Sequence, residues 1–411
     1  SLSTVWAAWL WGKSHITAML PLLSRHRTSW DWQWRAISSA LHALEPALNS
    51  SALNIFSFAN DEAVMESVAL ASAGANQTLD HVTCDPHDGT RVTWQTHADV
   101  AGDRDLESLA LDIRRNVRET ATRVLRDRAE PTDRLVLQAA IYGALGQSDV
   151  LAIIAHLPEG DQSPLAFMRD VVQSTLAAPD LPVIALDEHL RWLKEDGRSG
   201  TSATFRWAFN AESKPLADRV EAAIVDLLRT RNEWPGDELL REIYRRFPDW
   251  LTPDRALVAT CIGSYVEEIG AGRVRLRSED VFEAREAEVR AARDSLETIG
   301  TQLGYEVKSK QEVVWLNGKE VVYSFVIEAQ AEIDPLLRAA EGVLVIPGGR
   351  ATLLQHKMKR DPRLSELHWQ ILKFSSLRHL TEDGSYSLNT LALAFGLEPP
   401  IEQAGTQIKL L

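Results

Sequence analysis

The residues with the clearest chemical potential lie in the segment VIPGGRATLLQHKMKRDPR, residues 345 to 363. This segment collects positive charge in a chain whose formal net charge is −14, and it contains one acid, Asp361. An acidic protein needs a local cationic surface to hold a polyanion, because its overall field repels phosphate. The candidate DNA-binding residues are Arg350, His356, Lys357, Lys359, Arg360 and Arg363.

The spacing within this segment predicts an amphipathic helix that presents its cations outward. His356, Lys359 and Arg360 share one face at i, i+3 and i+4, while apolar side chains fall on another face. The preceding PGGR offers backbone N–H groups and close approach to a phosphate, a contact that positions nucleic acid without reading bases. Changing Lys357, Lys359 and Arg360 together to Glu is then expected to weaken duplex binding without unfolding the protein. The alternative interpretation is a solvated charged face. The apolar face consists of Ala351, Leu354 and Met358.

A second chemical possibility lies in YSFVIEAQ, where Glu328 follows a predicted strand and the hairpin sequence VVWLNGKEVVYSF. The pattern resembles the carboxylate strand of restriction-type nucleases, in which an acid and a lysine two residues later flank a metal-bound water. Here Gln330 stands at the lysine position, and Asn317 is the nearest counterpart of the expected upstream aspartate. Losing a metal ligand and the lysine together should abolish phosphodiester hydrolysis. We therefore interpret Glu328 as an exposed or capped strand residue, with a nuclease-like fold without activity as the alternative.

No other pattern in the sequence indicates catalysis or metal binding. TCDPHDG lacks the aromatic residue that the DPPY loop of amino-methyltransferases stacks on the target base, and no GxG turn follows an early strand. The histidines are dispersed, and Cys84 and Cys261 form no CxxC pair. We therefore expect no catalytic residue, no metal site and a reducing, cytoplasmic environment.

The chain of 411 residues is long enough for two to four domains. No apolar run approaches the roughly 18 to 20 residues that would span a bilayer, so we expect no membrane association. The fold class we predict is α/β at both ends with a helical middle. Four regions are expected: an α/β domain end at 1–100, a helical region at 101–211, a winged-helix-like module with a long helix at 212–305, and a C-terminal α/β domain at 306–411.

Local signals place the elements within these regions. NDEAVMESVALASAGA predicts a helix with Asn60 or Asp61 as its N-cap and Gly74 at its end, followed by two β runs separated by a turn. Between residues 216 and 276, three consecutive helical patterns precede the alternating strand GRVRLR, which is the outline of a winged helix. No internal repeat is evident in the sequence.

Several stretches together resemble the large prokaryotic DNA methylases that modify adenine or cytosine N4 and accompany restriction or phage-defence systems. They are LNIFSFANDEAVMESVALASAGA, FRWAFNAESKPLADRVEAAIVDLL, IYRRFPDWLTPDRALVATCIGSYVEE, RLRSED and VLVIPGGRATLLQHKMKRDPRL. The resemblance implies that residues 1–100 are the terminal part of a Rossmann-like methylase sheet. It also implies that this chain is the C-terminal portion of such an enzyme, a view that Ser1 in place of an initial Met also suggests.

The residues that bind S-adenosylmethionine and flip the base in such methylases have no counterpart in this chain. We therefore expect no cofactor in this segment, with S-adenosylmethionine belonging to the full-length family member. The expected partners are DNA and an upstream methylase catalytic domain. Two alternatives stay open: a non-enzymatic regulator or scaffold of a defence complex, and a degenerate restriction-nuclease-like domain.

Overall fold

The protein is described by a computed structural model over residues 30–44, 53–58, 61–75, 77–85, 89–96, 105–158, 162–193, 214–339, 341–384 and 386–396. The described residues are mixed α/β and form two compact units. The first contains those up to Thr83, Gly89–Thr120 and Gln138–Leu181, and the second contains Ala121–Leu137 and those from Pro182 onward. The predicted region boundaries near residues 100 and 211 lie outside the described residues.

The first unit contains a small sheet and the helices that pack on α2. Its three strands have the order β1-β3-β2, with β1 antiparallel to β3. Asp61 caps α2 by accepting hydrogen bonds from the N–H groups of Ala63 and Val64, and the helix ends at Gly74, as the sequence predicted. The elements are α1 (Trp30–Leu44), β1 (Leu53–Phe58), α2 (Glu62–Gly74), β2 (Gln77–Asp85) and β3 (Gly89–Thr96).

Residues 105–193 are mainly helical and end in a hairpin. Two-residue strand β4 leads directly into a helix and pairs antiparallel with β6, so this sheet has the order β4-β6-β5. The elements are α3 (Leu106–Arg128), β4 (Thr132–Asp133), α4 (Arg134–Gln147), α5 (Val150–Ala155), α6 (Pro164–Leu176), β5 (Val183–Ala185) and β6 (Leu190–Leu193).

A three-helix module with a small sheet follows in the second unit. Strand β7 again has two residues and leads directly into a helix, and the sheet order is β7-β9-β8. Asp254 caps α9 by accepting from the N–H group of Leu257. The elements are α7 (Leu216–Thr230), β7 (Trp234–Pro235), α8 (Gly236–Arg246), α9 (Arg255–Tyr265), β8 (Val266–Gly270) and β9 (Arg273–Leu276).

The element order of residues 216–276 is similar to that of residues 106–193. Each stretch runs helix, two-residue strand, helix, further helix and hairpin, with the last strand in the centre of the sheet, but the first stretch contains one more helix, α6, before its hairpin. Buried positions correspond at one constant spacing: Leu137 with Leu239 and Ile141 with Ile243 in α4 and α8, and Leu145 with Phe247, which follows α8. The similarity lies in the topology and in a few apolar positions, which a comparison of residue types does not detect.

The C-terminal region is a five-stranded mixed sheet with helices on both faces. Its order is β10-β11-β12-β13-β14, antiparallel up to β12 and parallel from β12 to β14. The elements are α10 (Phe282–Gln302), β10 (Glu306–Ser309), β11 (Val313–Asn317), β12 (Glu320–Ile327), α11 (Asp334–Arg338), β13 (Glu341–Ile346), α12 (Ala351–Arg360), β14 (His368–Lys373), α13 (Phe374–Asp383) and α14 (Leu388–Ala394).

Alternation along the interior strand β13 divides the core into two layers. Val343 and Val345 face α10, α13 and α14, whereas Leu344 and Ile346 face the other side, as the two-residue period of a strand requires. The second layer is continuous with the three-helix module, because one buried cluster runs from Leu216 to Ile371. The core thus crosses the predicted boundary at residue 305. None of the described helices combines the length and apolar character that a membrane span needs.

Candidate nucleic-acid interface

Helix α12 is placed by the parallel strands that flank it. Strand β13 ends at Ile346, a turn with the 3₁₀ segment Gly348–Arg350 follows, and α12 then leads back to β14. Leu353 and Leu354 are completely buried in the second core layer. The predicted basic helix is therefore present, and its orientation decides which of its cations meet solvent.

Lys357 points into the protein. Its Nζ atom donates to Asp218 Oδ1 at 2.7 Å, to Glu221 Oε2 at 2.5 Å and to the carbonyl oxygen of Ala331 at 3.0 Å, and the side chain is 0% exposed. Burial alone would lower the pKa of Lys357, but attraction to the two carboxylates raises it above its ordinary value. Burial raises the pKa of Asp218 to about 6, against the attraction of Lys357. All three donors of the ammonium group are used.

Arg350 and Arg363 are also buried and paired. The Arg350 guanidinium lies over the ring of Tyr265, 3.5 Å from its centroid, and donates to Asp280 and to the carbonyl of Ser264. Arg363 lies 4.2 Å from the ring centroid of Trp192 and binds both carboxylate oxygens of Asp361. These guanidinium groups hold the core together through the planar stacking and forked hydrogen bonds that arginine makes.

The remaining cations of the basic segment differ in exposure. His356 and Arg360 are half-buried, and Arg360 pairs with Asp254 and, at 3.5 Å, with Glu130. Burial alone would raise the pKa of Asp254, but Arg360 and the N–H group of Leu257 lower it overall. Lys359 is exposed and makes no hydrogen bond or ion pair with any described residue.

Three of the six candidate residues therefore do not reach solvent, whereas the residues of the predicted cationic face, His356, Lys359 and Arg360, are half-buried or exposed. Arg350, Lys357 and Arg363 are at most 1% exposed, and neighbouring carboxylates neutralise them. The associated expectation that Lys357 could be reversed in charge without unfolding fails for the same reason, because Glu would stand against two carboxylates. DNA contact by His356, Lys359 and Arg360 stays a prediction. Of the six, Lys359 is the one whose side chain is exposed rather than buried or half-buried.

Two features near α12 were not indicated by the sequence: the side chain of Arg277 and a cavity. Arg277 follows β9. Its Nε donates to the carbonyl of Val266 and its Nη2 to that of Gly263, each at 3.0 Å. Its third nitrogen, Nη1, would lie 3.9 Å from a Cβ atom built on Gly349. Gly348 and Gly349 are exposed at the amino end of α12, where N–H groups have no intrahelical partner.

The second feature is a cavity of about 230 Å³ at the carboxyl end of α12. Lys359 and Arg360 form one wall, and a second wall comes from β4, α4 and the β5–β6 hairpin. Sequence reasoning missed this site because its walls are far apart in the chain. The lining residues are Arg128, Pro131, Asp133, Val136, His189, Leu190, Thr252, Asp254, Lys359 and Arg360.

The two residues of the nuclease-like pattern, Asn317 and Glu328, lie far apart in the structure. Asn317 pairs with Glu320 at one end of the β11–β12 ladder, whereas Glu328 follows the other end of β12. Eight residues of strand separate those ends by roughly 26 Å, so Asn317 and Glu328 cannot hold one metal ion. Among the described residues, no group of three or more His, Cys, Asp or Glu is arranged to bind a metal. Burial, followed by the charge of Glu332, raises the pKa of Glu328 to about 7.

The amino end of α2 in the first unit is already capped by a side chain. At the start of α2, the Asp61 carboxylate occupies the N–H groups of Ala63 and Val64 at 2.9 and 3.3 Å. A phosphate- or carboxylate-bearing ligand would need those groups free. Strand β1 is followed by Asp61 and the start of α2, with no glycine-rich turn between them.

Comparison of the chain with profiles of known protein families, with curated proteins and with solved structures finds no match in any of the three.

Proposed function

We propose that this chain is the DNA-contacting, structural and non-catalytic part of a DNA methyltransferase of the adenine or cytosine N4 type. Catalysis and S-adenosylmethionine binding would belong to a separate catalytic domain, in keeping with the sequence resemblance. The strand order β1-β3-β2 supports this proposal. An open α/β sheet has this order at its edge when a crossover helix leads to a further strand and an antiparallel strand is then inserted between the two. No methylation step is assigned to any residue described here.

The three-helix module of residues 214–277 supports the DNA-contact part of the proposal. Its order of helix, short strand, two helices and hairpin, with sheet order β7-β9-β8, is compatible with a winged helix. In helix-turn-helix proteins the last helix enters the major groove. The corresponding α9 exposes Arg255, Ala256, Ala259 and Gly263, and small side chains on that face permit a close approach to a backbone.

The observation that carries the proposal is that the Arg277 guanidinium lies close to the Gly348–Gly349 turn. Two carbonyl groups hold the Arg277 side chain in place, and its remaining nitrogen faces the exposed glycines at the amino end of a ten-residue helix. Backbone N–H groups, the helix dipole and a fixed guanidinium all favour a phosphate at this point. We therefore assign the phosphodiester contact to this turn rather than to the side of α12.

Gly349→Asp tests the assignment without threatening the fold. A carboxylate there would neutralise Arg277 Nη1, and an acid in the first turn of a helix stabilises it. We expect duplex affinity to fall roughly tenfold and the slope of log affinity against log salt to fall by about one. Fluorescence anisotropy of a labelled duplex at several salt concentrations measures both.

The matched control is Gly349→Ala, which adds bulk at an ordinary contact distance but no charge. It should keep most of the affinity. Equal affinity of wild type and Gly349→Asp would remove the phosphate contact. The absence of any salt-dependent duplex binding by the wild type would favour the competing class, a regulator or scaffold that acts through protein interfaces.

A further inference from the structure

We propose that the cavity between the carboxyl end of α12 and the β5–β6 hairpin binds a nucleotide-sized ligand through its phosphate. This site is separate from the Gly348–Gly349 turn, which lies at the other end of α12, about 14 Å away along the helix. The proposal does not depend on duplex binding, because it concerns a concave volume of about 230 Å³, which is far smaller than a double helix.

The charge balance of the cavity leaves Lys359 available for an anion. Arg128 is occupied by the carbonyl of Trp250 and by Glu130, and Arg360 is paired with Asp254. Lys359 has no partner among the described residues, yet it lines the cavity. An ammonium group on the wall of a concave site is a point charge suited to phosphate.

The two carboxylates of the cavity do not cancel this charge, because each has a structural partner. Asp133 accepts from the N–H group of Leu135 at the start of α4, and Asp254 accepts from that of Leu257 at the start of α9. Helix amino termini carry partial positive charge that compensates such caps. Asp254 also holds Arg360. The acids are therefore components of the scaffold, and they leave the lysine uncompensated.

The opposite wall places an exposed imidazole at the same cavity. His189 is exposed, lines the cavity and accepts a hydrogen bond at its carbonyl from the N–H group of Arg134.

The rest of the lining indicates a nucleotide in preference to bare phosphate. Pro131, Val136 and Leu190 supply an apolar surface on which a base or sugar can lie. Thr252 and the second carboxylate oxygen of Asp133 supply acceptors of the kind that exocyclic amino groups need. Small-molecule sites typically combine such an apolar wall with a few placed polar groups. The same chemistry could come from a free nucleoside monophosphate or from the terminal nucleotide of a single strand.

The experiment is calorimetric titration of the full chain with AMP, CMP, inorganic phosphate and a 5′-phosphorylated single-stranded oligonucleotide. We expect saturable binding of a nucleoside monophosphate or of the oligonucleotide, with inorganic phosphate weaker. Lys359→Glu should weaken it at least tenfold, and Lys359→Arg should restore most of it. Because Lys359 is exposed, neither variant should change the unfolding temperature appreciably.

Lys319→Glu is the control, since Lys319 is an exposed lysine in the β11–β12 turn, outside the cavity. It applies the same change of charge and should leave nucleotide binding unchanged. Binding to the oligonucleotide alone would identify a strand end as the source of the nucleotide. The absence of saturable binding to every probe, or equal binding by wild type and Lys359→Glu, would overturn the proposal.

Discussion

The ammonium group of Lys357 lies 2.7 Å from Oδ1 of Asp218, and both side chains are almost completely shielded from solvent. The two residues are 139 positions apart in the chain. This ion pair joins α12 to α7 within one core and removes the centre of the basic segment from the surface. Part of the positive charge of residues 345–363 therefore stabilises the fold and does not face solvent.

Lys357→Met should destabilise the protein strongly. Removing the ammonium group leaves Asp218 and Glu221 buried and uncompensated, a change that typically costs about 3–5 kcal/mol in the free energy of unfolding. Chemical denaturation followed by circular dichroism measures this. Lys359→Met, two residues further on the same helix, is the control and should change stability by no more than about 0.5 kcal/mol. Equal losses in the two variants would contradict the burial described here.

Glu328→Gln should stabilise the protein, and only above mildly acidic pH. The folded carboxyl has a pKa of about 7, above that of an unfolded glutamate, so the folded state binds the proton more tightly. Wild-type stability therefore falls as pH rises from about 4.5 to about 7, and this fall is absent in the variant. At pH 8 we expect a gain of about 1–2 kcal/mol, since partial exposure reduces the full effect.

The control for this prediction is Glu320→Gln, because Glu320 is exposed in the β11–β12 turn. It should give no pH-dependent difference from wild type. Denaturant unfolding between about pH 5 and pH 8 provides the comparison. A gain in the Glu328→Gln variant that is the same at every pH would show that burial of the charge is not its cause.

Gly300→Ala should destabilise the protein although alanine favours helices. A Cβ atom on Gly300 would lie 2.5 Å from Nε1 and 2.7 Å from Cε2 of Trp315, whose indole donates to the carbonyl of Leu296. The overlap should cost about 1–3 kcal/mol and exceed the gain in helix propensity. Gly263→Ala in α9 meets no atom within 4 Å and should instead stabilise by about 0.5–1 kcal/mol. The midpoint temperature of thermal unfolding should therefore fall for Gly300→Ala and rise for Gly263→Ala.

Arg363→Lys should weaken the fold while keeping the charge. Lysine cannot stack flat on Trp192 or bind both oxygens of Asp361 as the guanidinium does, so we expect a loss of about 1–2 kcal/mol. Arg245→Lys alters a surface ion pair whose arginine side chain is 78% exposed and should be nearly neutral. Similar stabilities of the two variants, measured by denaturant unfolding, would show that the stacking contributes little.

The sequence by itself determined the local elements of this protein. The helix capped by Asp61 and ending at Gly74, the three helices before GRVRLR, and the helix that follows PGGR are all present. The third of the three helices is shorter than its pattern predicts, because it begins at Arg255 and VEEIG forms strand β8. Capping, turn chemistry and apolar periodicity depend on neighbours within a few residues, so they can be read directly from the chain.

Only the tertiary structure decided which charges are functional candidates. Helical spacing correctly placed residues on faces of α12, but it could not reveal that Asp218 and Glu221 of α7 approach Lys357, or that Asp280 approaches Arg350. The sequence also could not reveal the position of Arg277, the cavity beside Lys359 or the similar element order of residues 106–193 and 216–276. A charge is solvated or neutralised according to residues that are distant in sequence, and the burial that makes such pairs strong exists only once the core has formed.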